Sequence, residues 1–353
     1  MKLHPSRWLV GVSALLALPA AMASERVQVV TSFSILADMV EEVGGEHVEV
    51  TSLVGADGDA HVYTPSPGDA RALADADLVV FNGLLFEGWM ERLIDSSDYT
   101  GALVTATAGI EPLDRSSHDD HDDHGHGHDD HAHDDHGHDD HGHEEDGHAE
   151  HAHGDDDPHA WQDLARAETY VANIRDGLIE ADGDNRKAYQ DNAERYLAEI
   201  RAADEEIRAL IDEIPGSTSV ITGHDSFGYF ADAYGVRFLS PVGLSTEADP
   251  SGASMAELID VIEEENVEAL FHENMTNQSV LDQLAEETGL SVAGTLYADA
   301  LSSEGEASTY LGMMRHNAKT LHDALAEPGH SETDHDDHGH SHDHDHDHSE
   351  HSH

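Results

Sequence analysis

Residues 184–214 constrain the fold more than any other stretch. Tyr189, Ala193, Tyr196, Ile200, Ala203, Ile207, Leu210 and Ile214 recur at spacings of three and four. That period places them in one apolar stripe along a single helix. About 30 residues at 1.5 Å rise predict a helix roughly 45 Å long. Such a helix can run the length of a two-lobed protein, and Pro215-Gly216 ends it.

On each side of this helix, strand-like and helix-like segments alternate. Before it, strands are expected at residues 27–31, 48–53, 78–81 and 102–104, with helices at 34–42, 67–74, 86–94 and 162–181. After it, strands are expected at 219–222, 236–239, 269–271 and 292–293, with helices at 227–233, 254–265, 279–288 and 307–326. This alternation predicts an α/β protein of two lobes, each a mostly parallel sheet flanked by helices, joined by one long rigid helix. The expected N-terminal lobe is residues 24–181, the linking helix 182–215 and the C-terminal lobe 216–326. Ligands in such sheets bind beyond the C-terminal ends of the strands.

Three segments stand apart. Residues 1–23 read as a secretory signal: Lys2 and Arg7 precede a short apolar run, and Ala21-Met22-Ala23 fits a small-x-small cleavage site before Ser24. An uncleaved anchor is the alternative. No other stretch is apolar enough to span a membrane, so the mature protein is expected in the periplasm. Residues 114–157 and 327–353 are runs of His, Asp and Gly without the apolar residues of a core, and no secondary structure is assigned to them.

The 353 residues contain no cysteine, which excludes disulfides, thiolate metal sites and lipid attachment through an N-terminal Cys. A formal charge of −59 leaves nothing basic for phosphates, so nucleic acid is excluded as a partner. The acidity extends into segments with a folded pattern, such as Glu205-Glu206. It reads as adaptation to a salty medium, or more simply as a solvated surface.

Four residues are candidate metal ligands: His61, His159, His224 and Asp299. Each lies in a loop at a strand end or helix start, two before the long stripe and two after it. Three imidazoles and one carboxylate suit a four-coordinate zinc site and, less specifically, other divalent metals. His159 is the best marked. Pro158 restricts the backbone before it, and Trp161 supplies an apolar anchor just after it. Taken singly, each reads more readily as an ordinary polar loop residue, and it is the four in matching loop positions that point to a site.

Five segments carry a family resemblance. They are Asp59-Ala60-His61-Val62-Tyr63-Thr64-Pro65-Ser66-Pro67-Gly68-Asp69, the stretch from Val80 through Asn82-Gly83 to Glu87-Gly88-Trp89, Asp157-Pro158-His159-Ala160-Trp161, Gly223-His224 through Tyr229-Phe230, and Leu296-Tyr297-Ala298-Asp299-Ala300-Leu301. With them the chain resembles the zinc- and manganese-specific solute-binding proteins of bacterial ABC importers (the cluster A-I, ZnuA/TroA-like family) over residues 27–325. The resemblance implies two lobes on one long helix, with His61, His159, His224 and Asp299 as the metal ligands. It implies a monomeric, non-enzymatic periplasmic receptor that passes Zn2+ to an inner-membrane ABC permease.

Histidine at position 224 goes with zinc in this family, where glutamate goes with many manganese members. Ala60 before the first ligand, the missing Cys pair and the segment 296–314 point instead to a manganese or mixed branch. Glu273 matches an acidic family position that supports a ligand, or is an ordinary strand-end charge. His47, His272, His316 and His322 read as structural or surface residues. The His-rich tracts either capture or buffer zinc or serve as solvating spacers. The rival readings are a manganese or mixed Mn/Zn receptor, a periplasmic zinc buffer, and a zinc hydrolase.

Overall fold

The N-terminal sheet is built around a strand with apolar residues on both faces. Val27, Val29, Val30 and Phe33 of β1 (Val27–Phe33) are all buried, as a strand covered by helices on two sides requires. The computed structural model describes residues 26–113, 156–248 and 250–326. The expected signal segment, the tail and all but the last two residues of the 114–157 insertion lie outside them.

β1 pairs in parallel with β2 (Val48–Val54) and β3 (Leu78–Phe81), and β3 pairs in parallel with β4 (Ala102–Thr105), giving the order β2-β1-β3-β4. The C-terminal sheet repeats this plan as β6-β5-β7-β8. Its strands are β5 (Ser219–Ile221), β6 (Arg237–Leu239), β7 (Val267–Glu273) and β8 (Val292–Leu296), again all parallel. The helices α1 (Ser34–Gly44), α2 (Pro67–Asp75), α3 (Met90–Ser97) and α4 (Leu164–Ala181) belong to the first lobe. The long helix α5 (Arg186–Ile211) follows, then α6 (Gly228–Tyr234), α7 (Gly252–Glu264), α8 (Ser279–Thr288) and α9 (Tyr310–Leu325).

At 1.5 Å per residue α5 is about 39 Å long. It starts later than the stripe implies because Asp182 accepts the Asn185 amide and closes a 3-10 turn over Gly183–Asn185. Its buried face is Tyr189, Ala193, Tyr196, Ile200, Ala203, Ile207 and Ile211. Leu210 is only partly buried, so the stripe continues one residue on from the expected position. α5 packs on α1 and α4 of the first lobe and on α9 of the second. A single hydrophobic cluster accordingly runs from Val27 to Leu325 through both lobes. A smaller one of Ile221, Leu258, Val267, Leu270, Leu281 and Leu284 forms under α7 and α8.

The expected helix at 86–94 is displaced. The chain turns through residues 84–89, and α3 begins only at Met90. The buried carboxylate of Glu87 causes this. It accepts the amides of Asn82 (2.7 Å) and Gly83 (3.2 Å) and the hydroxyl of Ser32 (2.5 Å). Leu84 and Leu85 are forced to φ of +53° and +61°, a region few side chains adopt. Burial raises the Glu87 pKa, against the pull of the Ser32, Asn82 and Gly83 hydrogen bonds.

Candidate metal centre

The four candidate residues converge from three loops that follow strands and from one helical turn. His61 follows β2, His159 caps a 3-10 turn (Ala160–Gln162) ahead of α4, His224 follows β5, and Asp299 follows β8. Their donor atoms all lie within 4.8 Å of one another. His159, His224 and Asp299 are fully buried, and His61 keeps 7% exposure. The Asp299 carboxylate sits between the rings. Its Oδ2 is 3.0 Å from Nε2 of His224 and 3.3 Å from Nε2 of His61, and its Oδ1 is 3.6 Å from Nε2 of His159. None of these approaches is a directed hydrogen bond. All three Nε2 atoms and both carboxylate oxygens are buried without a hydrogen-bond partner. Buried polar atoms almost always find partners, so five such atoms facing one point make this cluster the candidate site for a cation.

The supporting contacts orient the rings. Oδ1 of Asp157 lies 2.7 Å from Nδ1 of His159 and also accepts the His159 amide at 2.9 Å. Oε2 of Glu273 lies 2.6 Å from Nδ1 of His224, while its Oε1 accepts the Gly223 and His224 amides. A carboxylate on Nδ1 keeps that nitrogen protonated and leaves Nε2 as the nitrogen that faces the centre. Asp59 accepts the His61 amide at 2.9 Å. Glu273 is therefore the ring-orienting carboxylate rather than a strand-end charge.

Asp59 and Asp157 are not among the candidates that the sequence singles out, although it carries a signal for them: Asp59-Ala60-His61 and Asp157-Pro158-His159 share an Asp-x-His pattern, and in both the aspartate accepts the histidine amide. Asp157 falls inside the insertion expected to lack secondary structure, yet it is fully buried. Its amide donates to Leu113 across the insertion, and Tyr229 of the second lobe donates its hydroxyl to the Asp157 carbonyl.

Aromatic rings wall the centre. Phe86 lies 4.7 Å from the His61 ring, and Trp161 lies 5.3 Å from the His159 ring. Trp161 Nε1 and Gln162 Nε2 both donate to the carbonyl of Ala298, tying the His159 turn to the residue before Asp299. The rings are held by charge as well. Burial favours the neutral ring of His61 and outweighs the pull of Asp299, lowering its pKa. Burial also opposes charge on His224, but the Glu273 and Asp299 carboxylates overcome it and hold that imidazole well above its usual range. Burial would raise Asp299, but His224 and His159 hold it well below the carboxylate range. A cleft of about 940 Å³ opens between the lobes, lined by His61, Tyr63, Leu85, Trp89, Pro241 and Leu244 among others.

His47, His272, His316 and His322 take no part in the cluster. They pack on Tyr189 and pair with Asp282, the Thr295 carbonyl and Glu213 respectively. Among the described residues, no other group of metal-binding side chains comes together.

Residues 29–324 match the family described as zinc-uptake complex component A, periplasmic. The chain belongs to this family. It is 31% identical over 306 residues to the manganese-binding lipoprotein MntA of Halalkalibacterium halodurans, covering 86% of this chain and 90% of that one. It is 28% identical to the iron-binding protein YfeA of Yersinia pestis, over 89% of this chain and 91% of that one. Among solved structures it resembles the manganese-bound periplasmic metal binding protein of Candidatus Liberibacter asiaticus, with a TM-score of 0.67 and 28% identity over 85% of this chain and 99% of that one. The chain is thus a metal-binding solute-binding protein of an ABC transporter, and its relatives are substrate-binding transport proteins rather than enzymes. No helix among the described residues is long and apolar enough to cross a membrane.

Proposed function

We propose that the protein is a zinc receptor that holds one ion through His61, His159, His224 and Asp299 and delivers it to an ABC permease. The observation that carries this is the convergence of three buried, unpaired imidazole nitrogens on one unpaired carboxylate. Imidazole suits zinc, and at a given site of nitrogen and oxygen ligands zinc binds more tightly than manganese. Four protein ligands close the coordination sphere, which favours carriage over hydrolysis. The protein works outside the cytoplasm as a monomer, from residue 24 onward, with lobes at 24–181 and 216–326 on the helix region 182–215. The His-rich tracts at 114–157 and 327–353 serve as accessory zinc ligands.

Manganese is the second reading. The MntA relative is named for that ion, and the second oxygen of Asp299 is also unpaired. It offers a fifth bond, which suits a harder cation. The test is competition on protein stripped of metal and lacking residues 114–155 and 327–353. Retention of one zinc against excess manganese supports the first reading, and manganese displacing zinc supports the second. Binding that vanishes with the tracts overturns both.

A further inference from the structure

Asp57 is not a ligand, yet two ligand-bearing segments and the segment carrying Glu273 meet at it. Its backbone stands in the left-handed region at φ +57°, tolerated by aspartate but costly for most residues. That conformation lets its amide donate to the Leu301 carbonyl at 2.9 Å. Oδ2 accepts the Ser303 amide at 3.2 Å, and Oδ1 accepts Nδ2 of Asn274 at 3.0 Å. Leu301 and Ser303 lie two and four residues after Asp299. Asn274 follows Glu273, which orients His224, and its Nδ2 also reaches the Ala300 carbonyl at 3.3 Å. Four residues beyond Asp57 is His61. One N-lobe residue thus joins the His61 loop to the segments carrying Asp299 and the partner of His224.

The surrounding contacts extend this joint. Ser34 of α1 accepts the Leu301 amide, so Leu301 is held to the first lobe through both its amide and its carbonyl. Thr246 of the second lobe donates to Asp59 at 2.7 Å. The Ala298 carbonyl, by contrast, is held by Trp161 and Gln162 in a fully buried contact. Asp57 is exposed, so its hydrogen bonds compete with water and break more readily than that buried contact.

We propose that Asp57 is a positioning residue whose inter-lobe hydrogen bonds set the lifetime of the bound metal: the site loses its ion when this joint opens. The proposal rests on the receptor reading above. The joint lies beside the ligands and is not one of them, so its opening acts on release. Capture is controlled by the approach of the ion to His61 through the cleft.

The experiment loads full-length metal-free protein with zinc alone and follows dissociation into excess chelator, with association measured separately. Asp57→Gly suits the left-handed backbone and removes the side chain with its carboxylate while leaving the amide that donates to Leu301. Its dissociation should be about tenfold faster, equivalent to about 1.4 kcal/mol, with association unchanged within about twofold. Asn274→Ala should act in the same direction, and the double variant should exceed Asp57→Gly by little, because both act through one joint. The exchange of the Ser303 amide in metal-free protein should quicken in Asp57→Gly. Unchanged dissociation in Asp57→Gly, or equal losses in both rates, would overturn the proposal. Should the wild type retain no zinc, the receptor reading and the retention role fall together. Ser303 exchange then still reports whether the joint exists.

Discussion

Nδ1 of His224 lies 2.6 Å from Oε2 of Glu273, whose other oxygen accepts the amides of Gly223 and His224. One carboxylate therefore fixes both the ring and the loop that carries it. Replacing it as Glu273→Gln keeps an acceptor for the amides but sets an NH2 group against Nδ1. The expected result is a metal affinity about 10- to 100-fold weaker, with an unchanged circular dichroism spectrum. Chelator competition checks it, and full affinity in this variant would remove the orienting role.

The charge on His224 predicts how binding responds to pH. The Glu273 and Asp299 carboxylates hold its pKa well above the ordinary 6.5 in the metal-free protein, while coordination requires Nε2 to lose its proton. Loading at pH 7 should therefore release about one proton, and affinity should fall as pH falls. The stability this imidazolium gives the metal-free fold is complete below 6.5 and is lost only as pH rises through the raised value. Calorimetry in buffers of different ionisation enthalpy measures the released proton. No release would mean that His224 is neutral before binding.

Asp38 predicts a pH-dependent stability that does not involve the four candidate ligands. Its Oδ2 accepts the Tyr310 amide at the start of α9 at 2.9 Å. Burial pushes its pKa up to about 6, against that hydrogen bond and with help from Glu42 and Glu41. A raised carboxylate contributes fully below its unfolded value of 3.8, and the contribution is lost as pH climbs through 6. Asp38→Asn retains an acceptor and cannot ionise. It should stabilise metal-free protein at pH 7.5 by about 1–3 kcal/mol and give no gain at pH 4. Thermal melts at the two pH values test this.

Changing the metal preference needs two substitutions. His224→Glu alone would set a second carboxylate against Glu273, and like charges at that separation resist sharing a buried site. That variant should bind both ions poorly. Adding Glu273→Gln relieves the repulsion and should lower the zinc-to-manganese affinity ratio by at least about tenfold, since a carboxylate favours the harder ion. An unchanged ratio in the double variant would show that selectivity lies elsewhere.

Removing metal should lower the melting temperature without unfolding the lobes, because the cluster shared through α5 and α9 holds them together. A ligand at a thousand times its Kd stabilises by about 4 kcal/mol. For a protein of this size that corresponds to about 10 °C. Scanning calorimetry with and without chelator gives the difference.

What could be read in advance was local. The stripe on α5 needed only residues three and four apart, and Pro158-His159 marked a rigid approach to a helix start. The alternation of strands and helices revealed both parallel sheets. The family resemblance picked the same four residues that the structure brings within 4.8 Å. The 84–89 turn was missed because apolar periodicity at 86–94 looked helical, while the buried Glu87 carboxylate bound the Asn82 and Gly83 amides instead.

The sequence by itself determined the lobes, the long helix and the residue types available for a cation, because period and composition act over a few residues. Only the tertiary structure decided which carboxylate holds which ring and how the lobes are joined. Glu273 reaches His224 across 49 positions, and Asn274 reaches Asp57 across 217. Such pairs form only after the core has brought the loops together and removed their water, and no local pattern records that step.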